Sequence, residues 1–131
     1  MLTVDFHYSF CYNAAMTNLL ASVISALISI ESGGDVNAHN PSGAVGILQL
    51  KPVAVEEANR IIGYSRWDNE DRLDEWESIQ MCFETLKFHY ERGVKDPVEL
   101  GCRWYFPYAP DRVPSSYRNK LQSQLTKHPK N

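Results

Sequence analysis

A single carboxylate, Glu31, closes the strongest helical pattern in the chain and is followed at once by Gly33-Gly34 and a stretch rich in Asn, Pro, Ser and Gly. The apolar residues at 19, 20, 23, 24, 27 and 28 recur at i, i+1, i+4, i+5, i+8 and i+9, a helical stripe rather than a strand alternation. At about 100° per residue, Glu31 projects only about 40° from Leu27 and about 60° to the other side of Ile28, so it lies on the apolar stripe. A carboxylate at the rim of an apolar surface loses hydration, which disfavours its charged form. The negative end of the helix dipole pushes the same way. A glutamic acid that keeps its proton near neutral pH is what a general acid requires. Spacing alone leaves the plainer account in force: many helices end in a polar residue that merely reaches for water.

The stretch that follows changes the weighting. Glu31-Ser32, then Ser42-Gly43-Ala44-Val45-Gly46-Ile47-Leu48-Gln49-Leu50, resembles the soluble lytic transglycosylase pattern, an E-S pair followed at similar distance by S-x-x-G-A-x-G-L-M-Q. Glu31, Ser32, Gly43, Ala44, Gly46 and Gln49 match, and Leu48 stands where methionine is commoner. Weaker similarity in helix order extends over about residues 17 to 125. The resemblance implies a lysozyme-like fold and cleavage of peptidoglycan glycan strands between N-acetylmuramic acid and N-acetylglucosamine. It gives Glu31 the role of acid and then of base, drawing the proton from the muramic C6 hydroxyl so that an anhydro sugar forms without water. The substrate's own 2-acetamido group would steady the cation, so one protein carboxylate suffices.

In that setting Gly43 and Gly46 have two readings of equal weight. They let the backbone come close to a flat sugar ring, or they make a tight turn under the next helix. Gln49 adds an amide that donates and accepts at once, which favours a substrate contact. Ser32 steadies either the carboxylate or the frayed helix end, and the match tips it, with Ser42 and Ala44, toward the substrate side. Asp35 is read as a loop acid or Asx turn.

The resemblance also has a gap. The family carries a later A-Y-N-A-G-like segment whose tyrosine approaches the glutamate, and the corresponding stretch here is Cys102-Arg103-Trp104-Tyr105-Phe106-Pro107-Tyr108. Tyr105 stands for the tyrosine, while the asparagine and glycine are absent, and Phe106 and Pro107 in their place stiffen the loop and delete an amide. Trp104, Tyr105, Phe106 and Tyr108 are expected to offer ring faces to sugar C-H groups and make this wall of the cleft more apolar, with ordinary core and rim packing as the alternative. Trp76 and Phe83 are assigned to the core, and Trp67 is left undecided.

Composition narrows the remaining classes. The 131 residues carry 13 Lys+Arg and 16 Asp+Glu for a formal charge of -3, so no broad basic face for nucleic acid is implied. Cys11, Cys82 and Cys102 are odd in number and lack CxxC spacing, and are read as reduced or buried. His7, His39, His89 and His128 show no ligand spacing, so no metal and no cofactor is expected. The apolar run from 19 to 28 is short and serine-containing, which argues against membrane insertion, and no positive segment precedes it as an export signal would require.

Around Glu31 the sequence predicts a helix over 17–31, a turn-rich loop or small hairpin over 35–50, and a helix from Pro52 to Gly63. A longer helix follows from about Glu70 to Arg92, with Leu73, Trp76, Ile79, Phe83, Leu86 and Tyr90 at threes and fours on its apolar stripe; Asp96-Pro97 then reads as cap and first turn of one reaching about Tyr105, and a last one is capped by Ser115 or Ser116. The expected class is α+β, predominantly α-helical, with the loop or β-hairpin inserted after the first strong helix. Without repeats or linker-like stretches, residues 1–131 are read as one domain and as a monomer. The functional expectation is a peptidoglycan lytic transglycosylase. Its rivals are a muramidase of the goose-lysozyme type, in which water attacks, and a catalytically weak cell-wall-binding or assembly protein. The implied substrate lies outside the cytoplasmic membrane.

Overall fold

The structure, a computed structural model, describes residues 2–127, with side chains from residue 14 onward. The readings made for the side chains of Cys11 and His7, and for His128, lie outside the described residues. Five α-helices make up the order: α1 (Leu2–Glu31), α2 (Pro52–Ile62), α3 (Glu75–Glu91), α4 (Pro97–Tyr105) and α5 (Ser115–Lys127), with short 3-10 turns at Asn69–Leu73 and Pro110–Arg112.

Helix α1 runs against α3, α4 and α5, and α3 in turn carries α2 and α4 on its flanks. The stripe read from the sequence is the reason. Leu20, Val23 and Leu27 are fully buried and meet Met81, Cys82 and Leu86 of α3, Leu100 and Cys102 of α4, and Leu121 of α5 in one core. Each buried leucine contributes roughly 1.5–3 kcal/mol relative to an exposed one. Both Cys82 and Cys102 are free thiols inside this core. Gly101 lets α5 approach α4 closely, because a methyl group there would stand 2.7 Å from the Leu121 side chain. The stretch Ala14–Glu31 is also long and apolar enough by composition to cross a membrane, a length the 19–28 run alone does not reach. Here its apolar residues are shared between the core and partly exposed positions.

Of the two forms expected after α1, the stretch takes the turn-rich loop and not the hairpin, with only isolated bridges among the described residues, His39 with Val45 and Val45 with Leu50. Gly43, Gly46 and Gln49 all have positive φ and break the extended backbone at three-residue intervals. The Asn40 side chain also takes up amide groups that a ladder would have used.

The long helix predicted from Glu70 instead begins at Glu75. Asp68 caps the 3-10 turn in a reciprocal capping box with Asp71, and Asp74, in extended conformation, caps α3 by accepting from the Glu77 amide. This second cap breaks the phase of the apolar stripe, so Leu73 and Trp76, expected inside, are 59% and 63% exposed. Trp67 takes the buried place instead. Its backbone is held at both ends by Asn59 and its indole N–H donates to Glu77 at 2.9 Å. Helix α2 has Pro52 in its first turn and Gly63 at its left-handed stop, and α4 starts at the Asp96 cap, as the sequence predicts. In α5, Ser115 is already helical, and the Pro114 carbonyl, not a serine side chain, accepts the first amides.

Candidate active site

The end of α1 delivers Glu31 into a cleft of about 570 Å³, a size usual for small-ligand sites. One wall is the 40–50 loop with the start of α2. The other is the 104–108 segment that leaves α4. Glu31 is pushed up to about 7 by burial, opposed by a hydrogen bond from Tyr117 and by the charge of Lys120. The Tyr117 hydroxyl donates to Glu31 Oε2 at 3.3 Å across 86 residues of sequence. Burial and the neighbouring carboxyl in turn raise the phenol's own pKa, so Tyr117 stays a donor at all ordinary pH values.

The loop wall is built around Asn40. Its side-chain oxygen accepts from the Ser42 amide at 2.9 Å, the Ser42 hydroxyl and the Ala44 amide, and its amide donates to Gln49 Oε1 at 3.2 Å. Gln49, held at φ 50, donates back to the Gly46 carbonyl at 2.8 Å. One amide hydrogen and one lone pair of Gln49 are left for a ligand. Arg72 braces the loop from behind, donating to the carbonyls of Gly43 and Leu50, both at 3.2 Å.

The expected site residues divide accordingly. Glu31, Ser42, Ala44, Gln49, Trp104 and Tyr105 all line the cleft. Ser32, Gly43 and Gly46 do not. The Ser32 hydroxyl donates to Ile47 O at 2.7 Å and accepts from the Gly34 amide, tying the end of α1 to the loop. Gly46 sits under the loop at φ 83, where a Cβ would be 2.2 Å from the Arg72 carbonyl, so the turn reading of this glycine has a direct steric basis. Gly43 has open space around its Cβ position but a φ of 90. Asp35 accepts from the Asn37 amide in an Asx turn, and His39 is exposed.

The phenol on Glu31 belongs to Tyr117, not to Tyr105. Tyr105 stands on the cleft wall with its ring edge-on to Tyr117, centroids 4.5 Å apart. Sequence reasoning passed over Tyr117 because nothing local marks it. The available signal was its place in the first turn of a helix whose next buried residue is Leu121, an i, i+4 pair facing the core. Glu57 was also missed. It lines the same cleft, but its carboxylate is held below the usual range, first by a hydrogen bond from Arg60. Arg60 grips both oxygens at 2.7 and 2.9 Å, and the Tyr108 hydroxyl donates to one of them.

The helices thus present one partly buried carboxyl, raised toward neutrality, to an open cleft with a polar wall and an aromatic wall. Residues 9–109 match the family described as Transglycosylase SLT domain, and the chain belongs to that family. Among curated proteins it is similar to "Probable transglycosylase IsaA" of Staphylococcus aureus strains Newman, MW2 and USA300, with 51% identity over 39 residues in each case. The shared stretch covers 30% of this chain and 17% of each relative. No solved structure matches the chain.

Proposed function

We propose that the protein is a peptidoglycan lytic transglycosylase that cleaves the bond from N-acetylmuramic acid to N-acetylglucosamine with Glu31 as the single protein acid and base. The observation that carries this reading is a glutamic acid, pushed up to about 7 by burial, that lines a cleft of about 570 Å³. At neutral pH a large share of Glu31 is protonated and can protonate the leaving glycosidic oxygen. The carboxylate left behind then accepts the proton of the muramic C6 hydroxyl as that oxygen closes on the anomeric carbon. The proton given in the first step is recovered in the second, and no water is consumed. Tyr117 holds the carboxyl in one orientation and stabilises the ionised form between the steps.

Ser42 and Gln49 offer hydroxyl and amide groups to the acetamido and hydroxyl groups of the sugar from one wall, and Trp104 and Tyr105 offer ring faces from the other. The only other carboxylate in the cleft lining, Glu57, has both oxygens engaged by Arg60 and Tyr108. A second free carboxylate is therefore lacking among the lining residues, so a hydrolysis that uses one carboxylate as acid and another as base has no partner for Glu31, and water competes with the C6 hydroxyl for the Glu31 carboxylate alone.

Purified peptidoglycan digested by the wild type and by Glu31→Gln tests the reading. Products lighter than the hydrolytic ones by one water, formed by the wild type and absent with the variant, are expected. Products carrying the added water would establish the muramidase instead, and equal turnover by the two proteins would remove Glu31 from the chemistry. Binding without turnover by the wild type would favour a cell-wall-binding protein.

A further inference from the structure

The two walls of the cleft are joined by hydrogen bonds at Tyr108. Tyr108, on the segment after α4, donates its hydroxyl to Glu57 on α2 and accepts from Arg60 at 2.6 Å. Glu57 and Tyr108 both line the cleft, whereas Arg60 does not. Arg60 therefore backs the pair from outside, which places the bridge at the cleft's margin and not on its floor. Its exposure agrees: Tyr108 is 63% accessible, as expected for a rim and not for a packed base.

The segment that carries Tyr108 is braced on its inner side. Arg103 donates to the Pro107 carbonyl at 2.9 Å, Pro107 fixes its own φ, and the Tyr108 ring lies 5.9 Å from that of buried His89. Glu57 is braced as well, its carboxylate forked by the Arg60 guanidinium one turn along the same helix. Both ends of the bridge are thus held before any ligand arrives. An open groove would let a polysaccharide run out past both walls. A rim-level cross-link between the walls stops it on one side.

We propose that the Tyr108, Glu57 and Arg60 bridge closes one end of the cleft and confines cleavage to the ends of glycan strands. The inference rests on the transglycosylase reading and specifies how that site meets its substrate. A strand entering from the open side places a terminal unit against the bridge and the bond a fixed distance inward beside Glu31. An internal stretch of a long strand cannot lie across the bridge without displacing Tyr108.

Long uncrosslinked glycan strands labelled at one end, together with a short oligosaccharide of the same repeat, provide the test. The wild type is expected to release short products of one size early while the mean length of the remaining strands barely falls. Tyr108→Ala removes the cross-link and is expected to raise the ratio of internal to terminal cuts about tenfold, with mean strand length dropping from the first minutes. Tyr108→Phe keeps the ring and its packing and deletes only the hydroxyl. It is expected to shift the ratio in the same direction, and it decides the matter if the alanine variant does not fold. Internal cutting by the wild type from the start, or an unchanged pattern in folded Tyr108→Phe, would overturn the proposal. Neither result touches the transglycosylase reading, which fails separately if the wild type cleaves neither the long nor the short substrate.

Discussion

Two glutamates line the same cleft and are pulled in opposite directions. Glu31 ends α1 against the core, where burial raises it to about 7 and one phenol at 3.3 Å and a nearby lysine only partly oppose the shift. Glu57 sits one wall away on α2, and the guanidinium of Arg60 keeps its carboxyl below the usual range. Residue type is identical, so the difference is entirely one of surroundings. Desolvation without a bidentate partner keeps a proton in place, whereas a bidentate cation near the surface strips it away. One carboxyl can act as an acid, and the other can only be a structural anion.

The strongest way to sharpen that contrast is to remove each carboxylate's charge in turn. Glu31→Gln is expected to lower turnover of a short glycan by about 10²–10⁴-fold, the usual worth of a positioned acid or base. Glu57→Gln is expected to cost no more than about tenfold on the same substrate. Comparable losses would erase the distinction.

Next in size is the pH dependence. On the proposed mechanism the acid form of Glu31 is the competent one, so turnover is expected to hold on the acid side of about 7 and to fall as pH rises through that value. A rate that climbs through the same range would assign the carboxylate form to the first step.

Stability supplies a readout independent of substrate. With Glu31 raised from 4.5 to about 7, the folded protein binds the extra proton between those values, so the wild type loses stability as pH climbs through that window. Glu31→Gln cannot ionise. Relative to the wild type it is expected to gain roughly 3 kcal/mol between pH 4.5 and pH 8, read as a melting-temperature difference that opens with pH. A difference that stays constant with pH would deny the shift.

The smallest expected effect is that of Tyr117→Phe. The phenol's hydrogen bond lowers Glu31, so its removal is expected to move the alkaline limb of the pH profile upward while the fold persists. A downward movement would mean that the phenol stabilises the protonated acid.

Much of this was legible along the chain, and what was not has a common physical origin. Glu31 could be found because helical periodicity fixes which face a residue occupies, and Leu27 and Ile28 mark that face. Asp96-Pro97 and Pro52 with Gly63 announced their helices because caps and stops act within a few residues. Leu73 and Trp76 were misplaced because the periodic pattern runs unbroken across Asp74, and the competing cap is visible only once its side chain is seen on the Glu77 amide.

Gly46 was recognisable as a turn residue, yet the Arg72 carbonyl that forbids a side chain there comes from a separate 3-10 turn. Tyr117 and the Glu57 to Tyr108 bridge depend on contacts across 86 and 51 residues. No local spacing encodes them, because tertiary packing alone brings those groups together.

The most direct measurement is a titration of the Glu31 side-chain carboxyl by carbon NMR in the folded protein, assigned by comparison with Glu31→Gln. A midpoint near 7, well apart from the other glutamates, is the predicted result. A midpoint at the ordinary glutamate value near 4.5 would contradict the claim that this carboxyl is kept as an acid.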